Sequence, residues 1–424
     1  MWNSDGWLLK NSLPERLCNF ICSLRPDEEK LCFSVIFEMN EQADVLSHRI
    51  VHTVIRSDRR FAYEEVQYLL EQLGEASDED LKNPTPPQQP TEDAGAVSAP
   101  RPTEDFRDEL VMLNRMAKQL RAARMKHGAI DFDREEVRFM IDEKGHPLSV
   151  YFKRSKDANK LIEEFMLLAN RTVAEWVGKV KKGQKAKTLP YRIHDQPDPQ
   201  KLERLKEFVV KFGYRMKTTG SKGEISKSLN RLMDDVQGKR EQNVIESVAL
   251  RAMMKAKYSV YNIGHYGLAF DYYTHFTSPI RRYPDTMVHR LLTKYQEGGR
   301  SASKEKYEEL CEHSSDMEQL AQNAERDSIK YKMVEFMGQY IGEEFDAHIS
   351  GITSYGIYAE IDSNHCEGMV SMHDLDDDYY DFDERNYRLV GRRRHNIYQL
   401  GDAIRIRVEK ANVEKRQLDF SIVK

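Results

Sequence analysis

The stretch "HFTSPIRRYPDTMVHR", residues 275–290, places an unusual set of charges at what the sequence predicts to be a helix start. Ser278 is a residue type that caps helix N-termini, and a proline follows it at the first helical position, so we predict a helix over Pro279–Gln296. In that helix Arg281 and Asp285, four residues apart, would share one face. The helix macrodipole disfavours cations at this end by about 0.3–1 kcal/mol, so the arginines require an explanation.

Two explanations of Arg281 stay open on this stretch alone. The free N–H groups of a helix start, a serine and a forked guanidinium together make a phosphate site. Alternatively, Arg281 pairs with Asp285 on a solvated helix face, as charged residues at helical spacing commonly do. Six tyrosines stand from Tyr258 to Tyr283. Aromatic faces beside a phosphate site are typical of proteins that stack the bases of single-stranded nucleic acid, which favours the first explanation.

Composition limits the class of protein. A chain of 424 residues is long enough for two or more domains, and its 40% hydrophobic residues can form a large core. No apolar run reaches the ~18–20 residues of a membrane span. The first residues lack the basic-then-apolar order of a secretory signal. The formal net charge is −5, so any nucleic-acid binding must come from local basic patches.

Five cysteines, an odd number, indicate a reducing compartment, and we predict a cytoplasmic protein. Cys18, Cys22 and Cys32 cluster along the chain, which raises the question of zinc. Their spacing is poor for zinc and no fourth ligand is close in sequence, so buried or inert thiols are the favoured interpretation.

The chain divides by pattern into a mixed α/β part, helix-rich in its second half, and a tail of about 80 residues with short strand patterns that suit a small OB-fold barrel. We place the boundary between 1–340 and 341–424. Residues 75–105 are polar and proline-rich and are predicted to be a disordered loop. A hairpin is predicted to turn at Glu143–Lys144–Gly145. Further helices are predicted over 199–213, 224–236, 241–258 and much of 304–340.

The longer stretch "NIGHYGLAFDYYTHFTSPIRRYPDTMVHRLL" closely resembles the signature of the RNase R/RNase II exoribonuclease family, in its catalytic RNB domain. "LPERLCNFICSLRPDEEKLCFS", "RRFAYEEVQYLL", "LIEEFMLLANRTVA", "YRIHDQPDPQKL" and "NAERD" are similar to family segments and occur in family order. The tail resembles the S-one-type OB domain that follows RNB. The resemblance is closer to RNase R than to RNase II. It implies an α/β (α+β) RNB domain followed by an all-β OB-fold barrel.

The resemblance also implies an activity. Family members hydrolyse single-stranded RNA from the 3′ end and release nucleoside 5′-monophosphates. Magnesium assists the attack of water on the terminal phosphodiester, and two metal ions can clamp the attacking and leaving oxygens of such a displacement. The implied partner is single-stranded RNA, with no role for a membrane.

Individual residues match the family's functional positions. The resemblance implies catalytic roles for Arg281, at the scissile phosphate, and for Glu325 in "AERD". It implies RNA contacts for Tyr63 in "FAYEEV", Phe132 in "AIDFDR" and Glu163 in "LIEEF". A carboxylate such as that of Glu163 can accept a hydrogen bond from a ribose 2′-OH, which distinguishes RNA from DNA.

Each assignment has a structural alternative. Tyr63 would anchor a helix start, Phe132 would belong to the core, and Glu325 would pair with Arg326 or Arg251. Glu163 stands in an apolar helix, where a lone buried carboxylate is costly, and this favours a role for it.

The tail offers Tyr355 and Tyr358 in "SYGIYAEI", which match the paired aromatics of the OB domain's RNA face. Ser371 stands where many such domains have a histidine. An arginine run at 392–394 and the lysines of 179–187 would either follow phosphates or be ordinary solvated charge.

The family's magnesium ligands, a cluster of aspartates in one short loop, are not found in this sequence, so no residue is predicted to bind metal. The acidic run at 374–384 is rejected as the site because it lies in a tail loop. The two cold-shock-like domains expected before RNB are also not found. We therefore expect an N-terminally truncated enzyme that is inactive by itself. The alternative is a catalytically inactive RNA-binding fragment.

Overall fold

The computed structural model describes residue 14 and residues 16–86, 102–131, 136–239, 241–383 and 388–423, apart from the side chains of Glu104 and Asn243. The described residues form a mixed α/β part followed by a β-rich tail, which confirms the predicted fold class. The helices are α1 Tyr63–Gln72, α2 Asp78–Lys82, α3 Arg107–Lys126, α4 Asp157–Gly178, α5 Pro199–Val210, α6 Lys222–Val236, α7 Gln242–Ala252, α8 Tyr283–Gln296 and α9 Lys304–Met337.

The strands of the first part form pairs, and those of the tail form a barrel and a small sheet. The first part holds β1 Glu29–Met39, β2 Val45–Arg56, β3 Glu136–Ile141, β4 Pro147–Lys153, β5 Tyr191–Ile193 and β6 Lys257–Ser259. The tail holds β7 Glu344–Thr353, β8 Gly356–Ile361, β9 Glu367–Ser371, β10 Tyr380–Asp383, β11 Arg388–Gly391, β12 Ile397–Gln399, β13 Ala403–Asn412 and β14 Gln417–Ile422.

Local signals explain why several of these elements begin where they do. The Ser221 hydroxyl accepts from the Glu224 N–H while the Glu224 carboxylate accepts from the Ser221 N–H, which is a capping box at the start of α6. Asp198 caps α5, whose first residue is a proline. The predicted hairpin is confirmed as β3 and β4, with Gly145 at φ +83° in the turn.

Helix α4 connects two of the cores of the first part. Its N-terminal half packs with α1 and α3 around the fully buried Leu70, and its C-terminal half packs with β5 and α8 around Val173 and Leu292. One helix therefore fixes the position of α8 relative to α3. This matters because the predicted site residues are distributed over these elements.

The tail barrel consists of β7, β8, β9, β14 and β13, and it closes because β13 pairs with both β14 and β7. Residues alternate along β8: Ile357, Ala359 and Ile361 are fully buried inside the barrel, whereas Tyr358 lies between them on the outer surface. The predicted five-strand barrel is confirmed. The sheet of β10, β11 and β12 is an additional element between β9 and β13.

The barrel packs against the first part through a continuous apolar cluster. That cluster joins barrel residues such as Phe420 to Met337 at the end of α9 and to Leu205 of α5. The amide of Asn364 contacts the Met337 sulfur at 3.4 Å. The tail is thus held on the end of α9.

Three sequence-based predictions need correction. The helix predicted over Pro279–Gln296 begins at Tyr283. The helix predicted over 241–258 ends at Ala252, because residues 257–259 pair with β5 as a strand. The segment 75–105, predicted to be a loop, contains α2, and residues 87–101 of it lie outside the described part. No helix in the described ranges is long and apolar enough to cross a bilayer.

Candidate nucleic-acid interface

Arg281 lies on a turn in front of α8 and not in the helix. The backbone N–H groups of Arg281 and Arg282 both donate to the Ser278 carbonyl, at 3.3 and 3.0 Å. Arg282 is extended, and α8 starts after it with Pro284 in the first turn, a position that needs no N–H. We call residues 278–282 the Arg281 turn.

The Arg281 turn is closed by a buried carboxylate. Asp285 is fully buried, and its Oδ1 accepts from the Ser278 N–H at 2.7 Å and from the Arg282 guanidinium at 2.8 Å. The hydrogen bond from the Ser278 N–H to Asp285 replaces the helical geometry that the sequence predicted there. The ion pair considered between Arg281 and Asp285 is not formed, because Arg282 takes that place.

Arg281 itself is exposed and has no ion pair within the described ranges. Partial desolvation, followed by repulsion from the adjacent Arg282, lowers the pKa of the Arg281 guanidinium. Two neighbouring cations share one buried carboxylate, so positive charge is left in excess at the surface of the turn. A phosphate group would compensate that excess with charge-assisted, planar hydrogen bonds.

The segment before the turn is fixed by buried side chains. Asn170 of α4 is 3% exposed, and its Oδ1 accepts from the N–H groups of Phe276 and Thr277 at 2.9 and 3.2 Å. An imidazole nitrogen of His289 lies 2.8 Å from the Phe276 carbonyl oxygen. The backbone leading into the Arg281 turn is therefore held from α4 and from α8.

The histidines of this region are held neutral by burial. Desolvation, with repulsion from Arg282 and Arg192, keeps the pKa of His275 well below its usual value. Desolvation, with repulsion from His194, lowers the pKa of His265 to about 3. His275 Nδ1 lies 2.8 Å from the Tyr258 hydroxyl. These contacts support structural roles for the histidines.

Glu163 lies at the edge of a charged network between α3 and α4. Its side chain is 44% exposed and lies 3.8 Å from the Arg124 guanidinium. Desolvation raises its pKa against the opposing effect of Arg124. The buried carboxylate of this pair is its neighbour Glu164, which is 3% exposed and bonds Arg124 at 2.5 Å.

The assumption that Glu163 is the buried carboxylate was therefore wrong. The helical spacing predicts that Glu164 is the buried residue, because it stands three residues after Leu161 and four before Leu168, which are both buried. Glu163 is left available on the surface. It shares a helix face with Asn170 seven residues later, at roughly 10 Å along the axis.

The other predicted site residues of the first part lie on different elements. Tyr63 is the first residue of α1 and is 43% exposed. Glu325 lies on α9 and is partly exposed. Phe132 lies outside the described residues. Glu163 and the Arg281 turn are linked through α4, which carries Glu163 and holds the backbone before the turn through Asn170.

The tail presents both predicted tyrosines to solvent. Tyr355, on the two-residue turn between β7 and β8, is 75% exposed. Tyr358 lies on the outer face of β8, opposite Gly351 and Met369. The Ser371 hydroxyl accepts from the His373 N–H at 3.3 Å. Tyr355 is therefore accessible to a base, and the half-exposed Tyr358 follows it on the outer face of β8.

The described residues do not offer a set that fits a magnesium ion. Groups of three or more metal-ligating side chains are not found among them. In the acidic tail run, Asp377 accepts from Tyr380 and Asn396, Asp378 accepts from backbone N–H groups, and Asp381 pairs with Arg392. The five cysteines are free thiols, and burial raises the pKa of Cys311 and of Cys366 to about 12. Of the three that cluster along the chain, Cys18 is buried, Cys32 is half-buried and Cys22 is exposed.

Comparisons with known proteins match both parts of the chain. A family model described as RNB domain matches residues 11–298, and one described as S1 RNA binding domain matches residues 339–423. Ribonuclease R of Aquifex aeolicus is 35% identical over 418 residues, which cover 97% of this chain and 54% of that protein. Ribonuclease R 1 of Lactococcus lactis is 35% identical over 415 residues, which cover 96% of this chain and 47% of that protein.

A solved structure is similar over the same extent. Mycoplasma genitalium RNase R in complex with ribose methylated single-stranded RNA has a TM-score of 0.83 at 26% identity, and the match covers 97% of this chain and 60% of that one. The chain spans about half of the length of the curated relatives it matches.

Proposed function

We infer the function of this protein from one premise: the chain belongs to the RNB family of ribonucleases. It acts as a 3′-to-5′ exoribonuclease of the RNase R type, and it hydrolyses single-stranded RNA to nucleoside 5′-monophosphates. The similar M. genitalium RNase R was solved with single-stranded RNA, which supports the same partner here.

The observation that carries the proposal is the Arg281 turn. It presents an exposed guanidinium beside a second cation, on a backbone held by the buried Asp285 and Asn170. Arg281 binds the scissile phosphate, and its contact strengthens as negative charge develops there during hydrolysis. A turn that is already fixed does not have to reorganise when the phosphate arrives.

The remaining predicted residues bind the substrate. Glu163 accepts from a ribose 2′-OH near the 3′ end, and Phe132 and Tyr63 contact the terminal nucleotides. Glu325 acts at the catalytic centre. Tyr355 and Tyr358 stack bases of the incoming strand on the tail barrel, where each stacked base contributes about 1–3 kcal/mol.

Membership in the RNB family implies a metal-dependent nuclease. Magnesium is the metal we propose, and it would supply the activated water and compensate charge on the phosphate. Because no set of described residues fits it, we assign no step of the reaction to groups around it. The predicted lack of the aspartate cluster stays a prediction. The experiment below decides between cleavage by this chain and the predicted inactivity of the chain by itself.

Two further assignments are retained as proposals. The chain divides near residue 341 into an RNB part, 1–340, and an RNA-binding tail, 341–424. The protein works in the cytoplasm, in line with its odd number of cysteines.

A direct test uses the full chain, magnesium and a single-stranded oligoribonucleotide labelled at its 5′ end. The proposed activity gives products shortened stepwise from the 3′ end, together with nucleoside 5′-monophosphates, and leaves DNA of the same sequence intact. RNA binding without any release of nucleotides would favour the inactive RNA-binding fragment. Neither binding nor release would overturn the proposal.

A further inference from the structure

An arginine-rich hairpin lies in the small sheet of the tail, outside the set of residues assigned above. The hairpin between β11 and β12 carries the sequence "RRRHN", residues 392–396, which we call the arginine loop. All five residues of the loop are exposed. Tyr379, just before β10, is 66% exposed beside it.

The backbone of the arginine loop is held in one conformation by a single carboxylate. Asp378 accepts from the N–H of Arg393 at 2.9 Å and from that of Arg394 at 2.6 Å. The Gly391 N–H donates to the Asn396 carbonyl at 2.8 Å, which closes the hairpin. A Cβ at Gly391 would stand 2.6 Å from Asp378 Oδ2, so this close approach requires glycine.

The carboxylates of the acidic run are engaged within this sheet. Asp381 binds Arg392 through two hydrogen bonds, at 2.9 and 2.6 Å. Asp377 accepts from the Tyr380 hydroxyl and from the Asn396 amide. Acidic residues of the run considered as a metal site therefore hold the arginine loop in place through hydrogen bonds.

The guanidiniums of Arg393 and Arg394 are not paired with these carboxylates. Arg393 lies against the Tyr379 ring, with its guanidinium carbon 5.3 Å from the ring centroid. Within the described ranges neither Arg393 nor Arg394 has an ion pair. A prearranged pair of guanidiniums beside an exposed aromatic ring suits a phosphate backbone together with a stacked base.

The arginine loop is connected along the chain to the turn that carries Tyr355. The N–H of Met372 donates to the carbonyl of Tyr355 at 2.8 Å, and the chain runs from Met372 directly into the small sheet. The segment 372–379 therefore links the Tyr355 turn to Tyr379. This continuity favours RNA over an unrelated acidic partner.

We propose that the arginine loop and Tyr379 form a second single-stranded RNA contact, which extends the path of the strand beyond Tyr355 and Tyr358. The inference rests on the proposed RNA binding of the tail. Arg393 and Arg394 each neutralise one phosphate, and Tyr379 stacks one base. Asp378 has no contact with RNA and acts as the positioning residue of the loop.

The test measures the affinity of the full chain for a fluorescent single-stranded oligoribonucleotide over a range of salt concentrations. The double variant Arg393→Gln with Arg394→Gln should reduce the slope of log affinity against log salt by about 1.4, at about 0.7 for each phosphate contact on a single strand. Affinity near 0.1 M salt should fall about 25-fold. Tyr379→Leu should weaken binding about tenfold, with little change of slope.

The matched control is Arg405→Gln with Arg407→Gln, which removes the same charge from arginines that pair with Glu344. Equal slopes for this control and for the Arg393/Arg394 variant would overturn the proposal. The double variant Tyr355→Ala with Tyr358→Ala tests the proposed function separately. If it weakens binding while the loop variant does not, the tail binds RNA without the arginine loop.

Polyglutamate supplies the test of a different partner. One outcome is that polyglutamate binds the wild-type chain but not the Arg393/Arg394 variant, while the salt slopes for RNA are the same in both. In that case the loop binds an acidic protein partner and the RNA proposal is wrong. A wild-type chain that binds no RNA at low salt overturns both this inference and the proposed RNA binding.

Discussion

The Arg281 turn and the aromatic face of the tail barrel present side chains to solvent in opposite ways. Arg281 stands on a backbone held by Asp285, which is fully buried, and by Asn170, which is 3% exposed. Tyr355, 75% exposed, stands on a short turn whose backbone bonds Thr353 and Met372. The first arrangement is rigid, and the second tolerates adjustment.

This difference predicts where folding stability and RNA binding are coupled. Removing one partner of a buried charge pair leaves an uncompensated charge, whereas changes at exposed positions usually stay within about 0.5 kcal/mol. Loss of the buried carboxylate of the Arg281 turn should therefore reduce stability and function together. The tail should lose affinity while it stays folded.

The largest effect is expected at the buried carboxylate. Asp285→Ala removes the acceptor of the Ser278 N–H and leaves Arg282, whose side chain is 18% exposed, without its counter-ion. We expect the free energy of unfolding to fall by about 3–5 kcal/mol in urea titrations. Arg281→Ala, at an exposed position, is the control and should change it by less than about 0.5 kcal/mol. Similar losses in the two variants would contradict the comparison.

Next comes the chemistry of Arg281. A lysine cannot present the planar fork of a guanidinium, so Arg281→Lys should slow single-turnover cleavage about 100-fold while RNA affinity changes far less. The measurement requires a form of the enzyme that cleaves RNA. Arg290→Lys, an exposed arginine of α8, is the matched control and should be close to wild type. Equal losses of rate and affinity would make Arg281 an ordinary binding residue.

A smaller effect is expected in the tail. The variant Tyr355→Ala with Tyr358→Ala should weaken binding of single-stranded RNA by about 1–3 kcal/mol for each base that loses its stacking partner. Its thermal midpoint should stay near that of the wild type, because Tyr355 is exposed and Tyr358 lies outside the barrel core. Phenylalanine at both positions should restore affinity. Unchanged affinity in a folded alanine variant would show that the aromatic face is misassigned.

The smallest change in folding stability for each titrating side chain is expected from a change of pH. His265 and His275 have pKa values lowered by burial, so the folded chain binds fewer protons than the unfolded chain below pH ~6.5. Their contribution to stability is complete above that pH and is lost as the pH falls, by about 1 kcal/mol for each imidazole at pH 5.5. Hydrogen exchange should show the loss in peptides of 262–280. Equal loss in peptides of β8 in the tail would contradict it.

Much of the architecture could be predicted because its signals are local. The capping box of Ser221 and Glu224, the Gly145 turn and the alternation through Ile357, Ala359 and Ile361 each lie within a few residues. Such signals act through the backbone of their own segment, whatever lies around it. The same is true of the long motif at 262–292, whose resemblance pointed to the family.

The site could be predicted only in part. The helix predicted to start at Pro279 starts at Tyr283, with Pro284 in its first turn, and the Ser278 N–H bonds Asp285. Nothing within the segment indicated that Arg282, and not Arg281, would take that carboxylate. The choice depends on Asn170 of α4, more than a hundred residues earlier, which fixes the preceding backbone.

The sequence by itself determined the classes of element, the two-part organisation and the residue types available for RNA. Only the tertiary structure decided which carboxylate is buried with its partner and which stays at the surface, as with Glu164 and Glu163. It also decided which backbone a carboxylate holds, as with Asp378 and the arginine loop. Helix periodicity and caps are set by neighbours along the chain. The pairing of a charge is set by desolvation, and desolvation depends on distant segments that pack around it.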